Sequence, residues 1–355
     1  MSSQDQSAAD ASSRATPAQS EPISHPSGKP LLLGLFAATT YSVANLALRG
    51  LSKSDGGPGW DMWVAGTKAF PTFFIAVVLI ALRRSRGLNS FAAFSFIWPV
   101  AVAAFFNQLG GNFAFQMSLR MIGLAISVPI CFASIICSGA VAGRIFLGDQ
   151  VTVRNAVSMA MMVTSIIFLS SAATSREKNP EKLKAAAIPT EQSATSPTAA
   201  DPSKAQTTPT ASNSPALGVI LSVISGLCYG VSGVFIRRAV RSQMPVAATL
   251  FLFSAAGFLL LCPASLLLLP VSAITQTTTQ EWFVIAIAGT FNAIGFFAIT
   301  HAMRSLTISR ANVINASQNA MCAVGAMFIF NEPLSPLGFF GIGLTIAGLL
   351  VLDRR

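Results

Sequence analysis

The sequence predicts an all-α membrane protein of ten transmembrane helices, arranged as two inverted five-helix repeats. Three observations predict it. Of 355 residues, 52% are hydrophobic and only 10% charged, and the mean hydropathy is +0.62, outside the range of a soluble domain. Apolar runs of about twenty residues, the length that crosses the hydrocarbon core, recur along the chain. They fall five and five around a polar stretch, and an odd number of crossings starts the second set from the opposite face of the membrane.

In order, residues 1–29 are rich in Ser, Ala, Gln and Pro and lack aromatics, the composition of a disordered cytoplasmic tail. No short apolar core follows a basic start, so the first run, 31–49, is expected to stay as a membrane helix rather than be cleaved. The runs 60–82, 91–118, 122–145 and 151–172 complete the first repeat, 30–172. Residues 173–214, rich in Pro, Ala and Thr, read as a disordered linker. The second repeat, 215–355, holds runs at 215–236, 245–270, 281–303, 309–330 and 336–352. Pro71, Pro99, Pro129 and Pro263 interrupt helices and offer bending points.

Two junctions share one device. Near Phe330 a helix ends; Asn331 and Glu332 lie at the interface, Pro333 forbids continuation, and Ser335 caps a helix that opens with Pro336. Earlier, Gly148 and Asp149 end one helix and Thr152 caps the next. Both acids are expected to serve the hairpins rather than ion sites.

The formal charge is +10, but the basic residues cluster between apolar runs, as in Arg83, Arg84 and Arg86, or Arg237, Arg238 and Arg241. That pattern marks cytoplasmic loops and a lipid bilayer, not nucleic acid. It puts both termini in the cytoplasm and the protein in an inner or plasma membrane.

The halves repeat in detail. "YSVANLALR" (41–49) reads against "YGVSGVFIR" (229–237), Asn107 against Asn292, and Asp149 against Glu332. Inverted repeats are the architecture of many secondary transporters, whose substrate site lies at the midplane between the repeats.

Lys68 sits inside the run "WVAGTKAFPTFFIAVV". A lysine at a helix centre costs about 3 kcal/mol on insertion scales, so it either counters an anionic substrate group or snorkels to the headgroups. Gln108, Asn112 and Gln116 share one helix face, as do Asn312, Asn315 and Asn319, with Gln318 beside them. Such stripes line a polar cavity or bond between helices. Tyr41, Asn45 and Tyr229 would meet the same interior, the tyrosines otherwise being interfacial anchors; Asn292 is placed inside as well. His301 is either a proton relay or a structural histidine. No acid sits at a helix centre, so coupling through a buried carboxylate is not visible.

The five cysteines lie in apolar runs without C-x-x-C spacing, so they read as core residues, with no metal site and no cofactor expected. Neither H-E-x-x-H nor a pair of buried carboxylates appears, and the chain is not expected to be an enzyme. "GAVAG" (139–143), "GLCYG" (226–230) and the stripe Gly338, Gly341, Thr345, Gly348 suit close helix packing and leave room for a homodimer.

The pattern of two five-helix halves, with "LGDQVT" (147–152) and "FNEPLS" (330–335) before their last helices and the glycine-rich "GFFGIGLTIAGLLVL" (338–352), resembles the drug/metabolite transporter superfamily in its EamA-like branch. "SLRMIGLAISVPICF" (118–132) and "AMRSLTISRANVINA" (302–316) are similar to that family's helix junctions. The resemblance implies a permease of a small polar organic metabolite, with Lys68 where the family often has Arg; the long linker departs from the pattern. The competing expectation is a membrane-embedded sensor or scaffold without transport activity.

Overall fold

The computed structural model describes residues 28–51, 57–91, 94–122, 124–177, 215–329 and 335–353. All but the last two residues of the expected tail, all but the first few of the expected linker, and the Asn331, Glu332 and Pro333 junction lie outside the described residues.

Among those residues the chain is helical throughout, without a strand. The first half holds α1 (Lys29–Arg49), α2 (Gly57–Thr67), α3 (Phe70–Ser85), α4 (Phe94–Phe106), α5 (Ala114–Ile122), α6 (Leu124–Leu147) and α7 (Val153–Glu177), with a π-helical segment (Asn107–Phe113) joining α4 to α5. The second holds α8 (Pro215–Arg241), α9 (Val246–Ala256), the short α10 (Cys262–Ser265) and α11 (Val271–Thr275), α12 (Thr279–Ala302), α13 (Ile308–Ala316), α14 (Gln318–Ile329) and α15 (Pro336–Asp353). A second π-segment, Gly257–Leu261, joins α9 to α10.

Among the described residues six stretches are long and apolar enough to cross a bilayer: Lys29–Leu48, Gly57–Ser85, Ile126–Leu147, Ala216–Arg241, Val246–Ser265 and Thr279–Ala302. Two further apolar helical stretches, Val153–Leu169 and Pro336–Leu352, are shorter. The expected spans at 91–118 and 309–330 are divided instead, the first by its π-segment and the second at Ser317. The expected single helix 60–82 is likewise two, because Lys68 and Ala69 form a turn and Pro71 opens α3. Pro99 and Pro129, by contrast, lie within α4 and α6. The helix expected to stop at 172 runs on to Glu177.

The junction at Gly148 forms as its residues dictate. Gly148 takes φ +67°, the left-handed turn that favours glycine, and Thr152 accepts from the N–H of Asn155 at 3.3 Å to cap α7. Ser335 caps α15 in the same way through Gly338, at 3.3 Å.

Small residues bring the helices together. α6 packs along α8, α1 along α12, and α7 along α15. A Cβ on Gly226 would stand 2.3 Å from the Cys131 carbonyl oxygen, and one on Gly230 2.0 Å from Ser138 Oγ. On α7, Ser158 and Ser165 donate to the carbonyls of Gly348 and Gly341 at 2.7 and 2.6 Å. Such interhelical bonds contribute about 0.6 kcal/mol each on average. Both glycine motifs, with Gly341 and Gly348 of the last-helix stripe, are therefore in contact within the chain. Large apolar side chains, among them Phe36, Trp98, Ile145, Leu227 and Phe339, cover the outside, as expected where lipid is the solvent.

Candidate functional site

Between the halves lies a cavity of about 200 Å³. α1, the α2–α3 turn, the first π-segment, α6, α8, α9, α12, α13 and α14 all contribute to its wall. That volume is below the ~300–1,000 Å³ of pockets for drug-sized ligands, so it suits a small solute.

Of the residues expected at such a site, Tyr41, Asn45, Lys68, Gln108, Asn112, Tyr229, Asn292 and Asn315 line this one cavity. Gln116, Asn319 and His301 do not. The π-segment explains Gln116: a wider turn advances each residue by less than an α-turn does, so the face shared by Gln108 and Asn112 drifts away before Gln116. Gln116 is fully buried elsewhere. At Ser317 the helix breaks, and the side chains of Gln318 and Asn319 donate back to the carbonyls of Asn315 and Ala316, each at 2.9 Å. Gln318 thereby takes the place expected of Asn319. His301 is exposed and stacks on Phe297 at 6.2 Å, so a relay through the cavity is not available to it.

The polar wall divides into braced groups and free ones. Tyr229 OH donates to Asn112 Oδ1 at 3.0 Å, Asn112 Nδ2 to Gln108 Oε1 at 2.8 Å, and Gln108 Nε2 to the Phe253 carbonyl at 2.6 Å. On the opposite wall Asn45 Nδ2 donates to Gln318 Oε1 at 2.8 Å. The chain of bonds from α8 through the π-segment to α9 ties both halves together. Gly111 permits it, since a Cβ there would come 2.9 Å from the Tyr229 ring. Among the described residues Tyr41, Asn107 and Asn292 have side chains without a bonded partner, facing the cavity.

Among the described residues Lys68 is the only charged one in the wall, and no carboxylate joins it. The acids stand at the margins. Asp61 is fully buried and accepts from Arg120 Nε at 2.8 Å. Asp149, expected only to serve a hairpin, pairs with Arg237, expected in a cytoplasmic cluster; both are buried. Asn107, Asn312, Gln318 and Thr72 are lining residues that sequence reasoning did not assign to the site. The amide stripe containing Asn312 and Gln318 was its available signal; Thr72 is recognisable only from the helix break beside it.

Residues 216–352 match the EamA-like transporter family. No curated protein matches the chain. Among solved structures, one titled "Crystal structure of protein" has a TM-score of 0.65 and 14% identity, covering 91% of this chain and 96% of its own. At that identity the likeness speaks for the fold alone. Residues 216–352, which supply α8 and the cavity faces of α9, α12, α13 and α14, are thus similar to the EamA-like transporter family, and the apolar helices mark an integral multi-pass membrane protein.

Proposed function

We propose that the chain is a secondary transporter of a small polar organic metabolite, working by alternating access of two inverted five-helix repeats. The observation that carries this reading is the polar cavity itself, lined from both halves inside an apolar bundle. A bundle with only a structural task would fill that space with aliphatic side chains, because unpaired amides in hydrocarbon are costly.

The packing supports the repeat. The α4–α5 stretch lies against α8 as α12 lies against α1, and α7 meets α15, contacts that exchange under a two-fold relating the halves. The Asp149–Arg237 pair, with the start of α13 beside it, closes one end of the bundle next to the cavity residues Ile236 and Met303. Given the basic clusters, that end faces the cytoplasm, with both termini on the same side. Rocking the halves apart there would open the cavity inward.

Counterflow in proteoliposomes tests the reading. Vesicles preloaded with the small-molecule fraction of a cell extract are expected to exchange isotope-labelled members of that fraction saturably. Leakage without saturation would indicate a channel, and no exchange by folded protein would favour a sensor or scaffold.

A further inference from the structure

We propose that the break between α2 and α3 is an anion site, and that the cavity takes a small, singly charged carboxylate. This rests on the transport reading for its consequence, while the site itself stands on three observations.

First, Lys68 is 5% exposed, lines the cavity, and donates to no acceptor among the described residues. A buried cation without a counter-charge is costly, and the wall offers it no carboxylate. Second, Thr72 is 4% exposed and its hydroxyl has no partner among the described residues. Thr40, Thr67 and Thr164 return their hydroxyls to carbonyls of their own helices, at 2.9, 2.7 and 2.8 Å. The carbonyl four residues before Thr72 belongs to Lys68 in the turn, and α12 presses on it so closely that a Cβ on Gly289 would stand 2.7 Å away. Of the threonines with an unpartnered hydroxyl, Thr72 is the one in the cavity wall. Third, Lys68, Ala69 and Thr72 line the cavity together, so the first turn of the 16-residue α3, whose N-cap Ala69 offers no side-chain acceptor, forms part of that wall. Pro71 has no N–H and that of Phe73 bonds the Ala69 carbonyl at 3.0 Å, so the orphan N–H groups that favour negative charge at this helix start are those of Phe70 and Thr72.

One ammonium, one hydroxyl donor and one helix start suit the two oxygens of a carboxylate. A zwitterion would bring an ammonium into a wall whose one charge is already positive. A phosphate monoester carries about −1.5 to −2 at neutral pH, more than one lysine balances. The unpartnered groups of Tyr41 and Asn292 then meet the hydroxyl or carbonyl of the solute's other end.

The test uses purified full-length protein in buffer free of carboxylates, with thermal unfolding read against lactate, lactamide, alanine and malonate at constant ionic strength. Lactate is expected to raise Tm saturably, with lactamide and alanine inert and malonate weaker. Thr72→Val should weaken the lactate midpoint about tenfold, as for a lost hydrogen bond to a charged group. Lys68→Arg should retain the response and Lys68→Gln lose it. A wild-type response to lactamide equal to that to lactate, no response to any probe, or an unchanged midpoint in Thr72→Val would overturn the site, even where Lys68→Gln does not fold. Uptake of cell-extract solutes into proteoliposomes, read by mass spectrometry, separates the two readings. A lactate response without uptake removes transport and leaves the anion site; uptake confined to neutral or cationic solutes overturns the carboxylate.

Discussion

Arg237 on α8 donates to Oδ2 of Asp149, and that same oxygen accepts the backbone N–H of Ile308 at 3.3 Å. One carboxylate therefore joins the end of α6, the end of α8 and the start of α13, elements of both halves. Removing one partner of a buried pair costs about 3–5 kcal/mol, because the other charge is left in low dielectric.

Asp149→Asn is accordingly expected to destabilise the protein by about that amount. It should also make an Ile236→Cys probe react faster with a thiol reagent applied from the cytoplasmic side. The charge swap Asp149→Arg with Arg237→Asp should restore stability only in part, since Ile308 still presents an N–H to position 149. Full restoration would show that Ile308 contributes nothing.

The glycine contacts predict a contrast. A Cβ on Gly230 meets Ser138 Oγ at 2.0 Å and the Gly139 backbone nitrogen at 2.9 Å, whereas one on Gly343 meets nothing within 4 Å. Gly230→Ala should lower stability by about 1–3 kcal/mol through forced separation of α6 and α8. Gly343→Ala should be neutral or mildly stabilising, by up to about 1 kcal/mol. Unfolding midpoints in detergent check both.

Tyr229→Phe cuts the chain of bonds at its first link and leaves Asn112 Oδ1 without its donor. The expected loss is about 1–3 kcal/mol of stability. Asn112→Ala removes two links and should cost more. Equal costs for the two substitutions would mean that the Asn112–Gln108 bond is energetically silent.

Because His301 is exposed and stacks on Phe297 rather than facing the cavity, His301→Gln should leave the pH profile of transport unchanged between pH 5.5 and 8. A profile that shifts in the variant would return His301 to the mechanism.

Much of the site was legible along the chain. Lys68, Tyr41, Asn45 and Tyr229 stand out because polar groups inside apolar runs are costly, so each demands a partner or a cavity. The amide stripes were readable only while helical spacing held. Gln116 and Asn319 were misplaced for one reason: the π-segment and the break at Ser317 shift the faces that follow them.

By itself the sequence determined a helical membrane protein and the polar residues that must be sheltered. Those follow from local quantities: the length of an apolar run, the cost of a charge in hydrocarbon and the distribution of arginines between runs. Only the tertiary structure decided that Asp149 meets Arg237, that the glycine motifs are engaged within the chain, and that Lys68 and Thr72 share a helix break. Each depends on how closely a second helix approaches. In a membrane that approach is set by packing and interhelical hydrogen bonds rather than by hydrophobicity, which cannot distinguish a neighbouring helix from lipid.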